Sequence, residues 1–282
     1  MTATALTPPG GPAPAPPVSG PKARAAIATK TLRKDRWWLE PAFTATVLLL
    51  FVGYVSWAAW ENADYYARPY LSPLYSPCLA SICANVRAGA HIVHPPMVGF
   101  IGTWWAVSPA LLAIIIPGGI RTTCYYYRKA YYRSLWRAPA ACAVAEPHRR
   151  YTGETRFPLV LQNVHRLFFL LALIINGVLT WDAFESFRWP GGWGMGVGSI
   201  VLTLNAAFLW LYSLSCHSCR HIVGGRLKHF SRHPVRYRLW GLVSKLNERH
   251  MQFAWVSLVW VALTDLYVRL VASGWVPNPR FF

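Results

Sequence analysis

The sequence predicts an all-α membrane protein of five transmembrane helices, with its amino end in the cytoplasm and basic amphipathic segments on that side. Three observations carry this. Of 282 residues, 54% are hydrophobic and 13% charged, too apolar a balance for a water-soluble domain. The apolar residues gather into five stretches near the ~20 residues that a helix needs to cross a hydrocarbon core about 30 Å thick. The 28 Lys and Arg, against 10 Asp and Glu, lie mainly between those stretches. A pI near 10.1 would suit nucleic-acid binding if the cations shared one face of a folded domain. Here they flank apolar runs, so the charge is topological and no nucleic-acid partner is expected.

Taken in order, residues 1–36 begin Pro/Ala/Gly-rich from Met1 to Gly20 and end basic, with no apolar core of a signal peptide; a disordered cytoplasmic tail is expected. Residues 37–272 form the membrane domain and 273–282 an extracytoplasmic tail. The first, second and fourth spans, Pro41 to Trp60, Met97 to Ile116 and Gly191 to Ser215, carry no charge. The third, Phe157 to Trp181, contains His165 and Arg166, and the fifth, His250 to Ala272, contains Asp265 and Arg269. Pro117-Gly118-Gly119 and Gly224-Gly225 read as helix ends or bends, and Pro158 suits a first helical turn. The amino end and the segments Arg121 to Arg156 and Arg220 to Arg249 hold 22 Lys and Arg, against Arg68, Arg87, Arg188 and Arg280 in the other connections. Positive charge is retained inside, so the amino end is placed in the cytoplasm and the carboxyl end outside.

The inner loops are long, basic and aromatic. Cys124 to Trp136 sets five tyrosines and a tryptophan among Arg128, Lys129 and Arg133. Such a segment suits an interfacial helix among anionic lipid headgroups, and it equally suits a platform for a soluble partner, because Tyr and Arg are enriched at desolvated interfaces. For docking, Arg128 and Arg133 are the named cations.

Cysteines divide by side. Cys78 and Cys83 lie in the outer set, where they suit a loop disulfide; with His91 and His94 they also make a candidate metal or iron-sulfur set. Inside, Cys216 and Cys219 stand three apart, a spacing that shares one helical face, while His165 and His250 enter the third and fifth spans at a similar depth. Ionisable groups within a bilayer are costly and usually functional. Two thiolates and two imidazoles are the ligands of a Rieske-type [2Fe-2S] cluster; haem b on His165 and His250 is the alternative, and small apolar packing is the structural reading of the cysteines. His217, His221, His229 and His233 read as surface or partner groups.

Several segments together resemble a known family: CYYYRKAYYRS (Cys124 to Ser134), YTGETRFP (Tyr151 to Pro158), LQNVHR (Leu161 to Arg166), SLSCHSCRH (Ser213 to His221) and NERHMQFAW (Asn247 to Trp255). The chain is similar over Trp37 to Ala272 to the five-span, cytochrome b-type membrane anchor of actinobacterial succinate dehydrogenase or fumarate reductase, complex II. That resemblance implies a subunit that takes no direct part in succinate oxidation. It would bind a flavoprotein and an iron-sulfur subunit on the cytoplasmic side, pass electrons to membrane quinone, contact lipid, and join a higher oligomer of the complex. A quinone needs an apolar slot with a few polar groups; Tyr125, His165, Arg166 and Arg249 are the candidates. A stand-alone haem b quinone oxidoreductase and a polytopic transporter are the competing functions, and no internal repeat favours the transporter.

Overall fold

The computed structural model describes residues 33, 35–78, 108–150, 152–154 and 158–282. The amino-terminal segment Met1 to Gly20, and Cys83, His91 and His94, lie outside the described residues. Among the described residues four helices are long and apolar enough to cross a membrane: α1 (Leu39–Glu61), α5 (Pro158–Glu185), α6 (Val197–Leu214) and α9 (His250–Ala272). In its most apolar stretch α1 is 11% buried and α9 44%, so α9 is central and α1 lies at the rim. Phe43 and Leu50 of α1 stay 71% and 68% exposed, as expected where the surrounding solvent is hydrocarbon.

Residues 97–107 of the expected second span lie outside the described residues. Its remainder is α2 (Ala110–Ala113) and α3 (Ile115–Thr123), parted at Ile114. Pro117 explains the break: it has no N–H, and its ring would press on the carbonyl of Ala113 one turn earlier. The helix therefore breaks before Pro117 and runs on through Gly118-Gly119, the bend of the two readings that the sequence offered there. A Cβ on Gly119 would fall inside the Phe168 ring, so the missing side chain lets α3 meet α5 closely. Gly119→Ala is expected to cost about 1–3 kcal/mol of stability as an overpacked seam, read as a lower thermal midpoint of the purified protein. Phe168→Leu should restore most of the loss, and an unchanged midpoint in the single variant would refute the close seam.

The fourth span begins later than the sequence suggested. Pro190 and Gly191 turn a hairpin between β3 (Arg188–Trp189) and β4 (Gly192–Trp193), and Gly191 and Gly192 take φ of +90° and +130°, which glycine alone adopts without strain. The third span runs past Trp181 to Glu185. It buries Asp182, which accepts a hydrogen bond from the Ser76 hydroxyl, and Glu185, 3.2 Å from Arg188.

A second hairpin, β1 (Tyr66–Ala67) and β2 (Tyr70–Leu71), occupies the same end of the bundle. The carboxyl tail is fastened there: the Phe281 amide donates to the Met195 carbonyl at 2.7 Å and the Arg280 guanidinium to the Trp193 carbonyl at 2.8 Å. Arg269 of α9 binds Asp265 at 2.7 Å and the carbonyls of Ala58 and Ala63 at 2.8 and 2.9 Å, and it pairs with Glu61. Asp265 also accepts from Tyr54 at 2.6 Å and from Ser72. Five groups from α1 and from the chain that leads into and out of the β1–β2 hairpin thus satisfy the Arg269 and Asp265 charges of α9, which apolar surroundings would otherwise penalise.

The opposite, basic end holds α4 (Tyr125–Tyr131), a π-helical turn (Tyr132–Trp136), α7 (His217–Gly224), a 3-10 turn (Phe230–Arg232) and α8 (Pro234–Glu248). Gly224 closes α7 and Gly225 caps it, as the glycine pair suggested. Arg128, named above for docking, is instead 3% exposed and pairs with Glu154 at 2.5 Å. Lys129 and Arg133 are the exposed cations of that segment.

Candidate functional site

At the basic end a cavity of about 570 Å³ opens between the ends of α3, α5, α7 and α9. Thr123, Cys124, Tyr125, Arg128, Gln162, His165, Arg166, Cys216, His217, His221, Trp240 and His250 are among its lining residues. Of the sequence candidates, the fold brings Tyr125, His165, Arg166, Cys216 and His250 to this one space. Arg249 caps α9 outside the lining.

Both histidines are oriented by a hydroxyl. Thr123 donates to the Gly119 carbonyl at 2.6 Å, so its oxygen accepts the Nδ1–H of His165 at 3.0 Å. Ser215 donates to the Tyr212 carbonyl at 3.0 Å and accepts the Nδ1–H of His250 at 2.7 Å. In both rings Nε2 therefore presents its lone pair. That of His165 meets the Cys216 sulfur at 3.2 Å, and that of His250 lies 3.7 Å from the Cys124 sulfur. Tyr212 stacks on the His250 ring at 5.2 Å and 5°, holding its plane. Burial pushes the Cys216 thiol up to about 11 and raises Cys124 as well, so at neutral pH each thiol keeps its proton and donates it to the facing imidazole.

This corrects the cysteine pairing suggested by spacing. Cys216 is not on the helix face of Cys219: it is the N-cap of α7, with extended backbone and a sulfur that accepts the Ser218 amide at 3.3 Å. Cys219 does not line the cavity; Cys124 does. At the other end Cys78 is disulfide-bonded, which removes its thiolate from the outer metal set. Among the described residues no three or more His, Cys, Asp or Glu side chains form a group that could hold a metal ion; the inner cysteines and histidines stand as two touching pairs. His217 and His221, read as surface groups, are exposed but face the cavity mouth.

Deeper in the bundle, Arg121 is buried without being isolated: it donates to Tyr127, lies 3.3 Å from the Ser257 hydroxyl, and sits over the Tyr212 ring at 5.1 Å. Below it a smaller apolar cavity of about 150 Å³ is edged by Asn176, Tyr212 and Ser213.

A bundle of apolar helices with buried polar groups at both ends and a polar-lined chamber at its basic end defines a multi-pass membrane protein. A model of the family described as actinobacterial succinate dehydrogenase subunit SdhC matches residues 39–274. Among solved structures, a chain of the Mycobacterium smegmatis Sdh1 complex in the apo form is 50% identical with a TM-score of 0.78, the match covering 89% of this chain and 94% of that one. Comparison with curated proteins gave no match. The chain belongs to the actinobacterial succinate dehydrogenase SdhC family: it is a membrane anchor subunit of that enzyme, in the bacterial plasma membrane.

Proposed function

We propose that this subunit docks the flavoprotein and iron-sulfur subunits on its basic, cytoplasmic end and conducts electrons from succinate oxidation to membrane quinone, taking no part in succinate chemistry itself. The observation that carries the reading is the pair of histidines whose Nε2 lone pairs face cysteine sulfurs inside one cavity. A ligating histidine has this tautomer, with Nδ1–H held by an outer partner and the lone pair on Nε2. In donor type, two thiols and two imidazoles, the set matches a [2Fe-2S] cluster of Rieske type, with Cys124 in place of Cys219: Cys124, Cys216, His165 and His250 would hold it. Such a group supplies one-electron transfer. Around it this chain's residues bury the sulfurs, fix the rings through Thr123 and Ser215, and exclude water with Tyr212 and Tyr126.

The quinone head group is assigned to the mouth of the same cavity, where Arg166, Tyr125 and Gln162 can hydrogen-bond its carbonyls. His165 is committed to Cys216, and Arg249 stands outside the lining, so neither is kept for quinone. Arg166→Leu should lower succinate-to-quinone turnover by about 10²–10³-fold, the scale of losing one donor to a developing oxyanion, while succinate oxidation by an artificial dye continues. Loss of both activities, or of neither, would remove Arg166 from the site.

Docking is assigned to the exposed cations of α4 and the π-helical turn. Charge reversal in Lys129→Glu with Arg133→Glu should dissociate the complex at moderate salt, seen as loss of the soluble subunits in size-exclusion chromatography. An intact complex would place the interface elsewhere.

A further inference from the structure

Helix α8 divides into three sectors by its own side chains. One sector packs on α7: Val243 is buried, Trp240 lies under the Arg220 guanidinium at 5.0 Å, and Arg236 binds the Val223 and Gly225 carbonyls at 2.8 and 3.0 Å. A second is apolar and uncovered: Val235, Leu239 and Leu242, at one-turn spacings, are 68%, 48% and 60% exposed, and Leu246 continues the same line. Beside it lies the third sector, with Arg238 and Lys245 exposed. Only Arg249 separates the end of α8 at Glu248 from the start of the spanning helix α9 at His250. The helix is thereby held at the depth where a span leaves the hydrocarbon. From Arg226 to Arg249 seven Lys and Arg face a single acidic residue, Glu248.

We propose that α8 lies in the plane of the membrane surface and binds anionic phospholipid, with Val235, Leu239, Leu242 and Leu246 in the acyl boundary and Arg238 and Lys245 on the phosphates. An apolar stripe flanked by cations is what an interfacial helix requires, and continuity with α9 puts the stripe at the leaflet. The occupant is lipid in preference to a soluble subunit because the cations border the stripe on the side away from α7, where a phosphate layer would meet them. This is independent of the quinone and cofactor assignments.

The complex, carrying Cys142→Ser to remove the exposed thiol, is labelled with bimane at Leu242→Cys and reconstituted into phosphatidylcholine vesicles with or without phosphatidylglycerol. Chain-brominated lipid should quench the label and aqueous iodide should not. Brominated phosphatidylglycerol should quench more than brominated phosphatidylcholine, and Arg238→Gln with Lys245→Gln should erase that preference, each lost cation lowering local enrichment by about fivefold. Iodide quenching would show a stripe in water, and protection from both quenchers a stripe covered by protein; either overturns the proposal. Equal quenching by the two lipids overturns its anionic part. A label at Leu239→Cys repeats the reading should the first site perturb assembly.

Discussion

If the proposed ligand set holds, Cys124→Ser is expected to abolish quinone reduction by the complex and to remove a paramagnetic signal of the anchor subunit, whereas Cys219→Ser should leave both. This is the largest effect on activity that the structure leads us to expect. It sets against each other the two cysteines that spacing and folding nominate. The expected fall in turnover is on the order of a hundredfold or more, since even partners outside a metal's ligands cost 10–100-fold when lost. Cys216→Ser should behave as Cys124→Ser does. The measurement is a difference spectrum between wild-type and variant complexes, which cancels the clusters of the iron-sulfur subunit. A sharp reduced α-band surviving in Cys124→Ser would point to haem b on His165 and His250. If the variants matched the wild type in signal and turnover, the cysteines would be packing residues.

Arg269→Leu should bring the largest loss of stability. It leaves Asp265, fully buried, without its cation, and strands Glu61 and the carbonyls of Ala58 and Ala63. Removing one member of a buried pair costs about 3–5 kcal/mol, enough to abolish a marginal fold. The expected result is loss of the assembled subunit from the membrane, or a clearly lower thermal midpoint in detergent. Arg269→Leu combined with Asp265→Asn should recover part of the loss, because no bare carboxylate then remains. Equal stability of single variant and wild type would mean that Asp265 finds another proton or cation.

Much of this was readable in the residues. Hydropathy placed the first, third and fifth spans to within a turn, because in a bilayer the length of an apolar run is itself the structural constraint. The start of the fourth helix was misplaced because Pro190-Gly191-Gly192 is as uncharged as the span that follows; hydropathy cannot tell a hairpin turn from a helix, although two adjacent glycines after proline are a turn signal. The site was half legible. His165, His250 and Cys216 could be named because polar groups in apolar runs stand out, but Cys124 stands at the junction of α3 and the tyrosine-rich α4 and its approach to His250 is set by long-range packing. Cys219 was favoured by helical spacing, but Cys216 is the cap of α7 and Cys219 stands outside the cavity lining. Thr123 and Ser215, which fix the imidazole tautomers, carry no signal that a single sequence displays.

The Arg269 network also sets a timetable. Its guanidinium closes on Glu61 across 208 residues, so among the described helices the first to be synthesised is secured by the last. At roughly 5–20 residues per second, α1 waits about 10–40 seconds in the membrane with Glu61 and Tyr54 lacking their final partners. The hairpin that carries Ser72 waits with it. A nascent chain halted before α9 would therefore hold α1 unlatched, with Glu61 lacking the guanidinium that α9 brings.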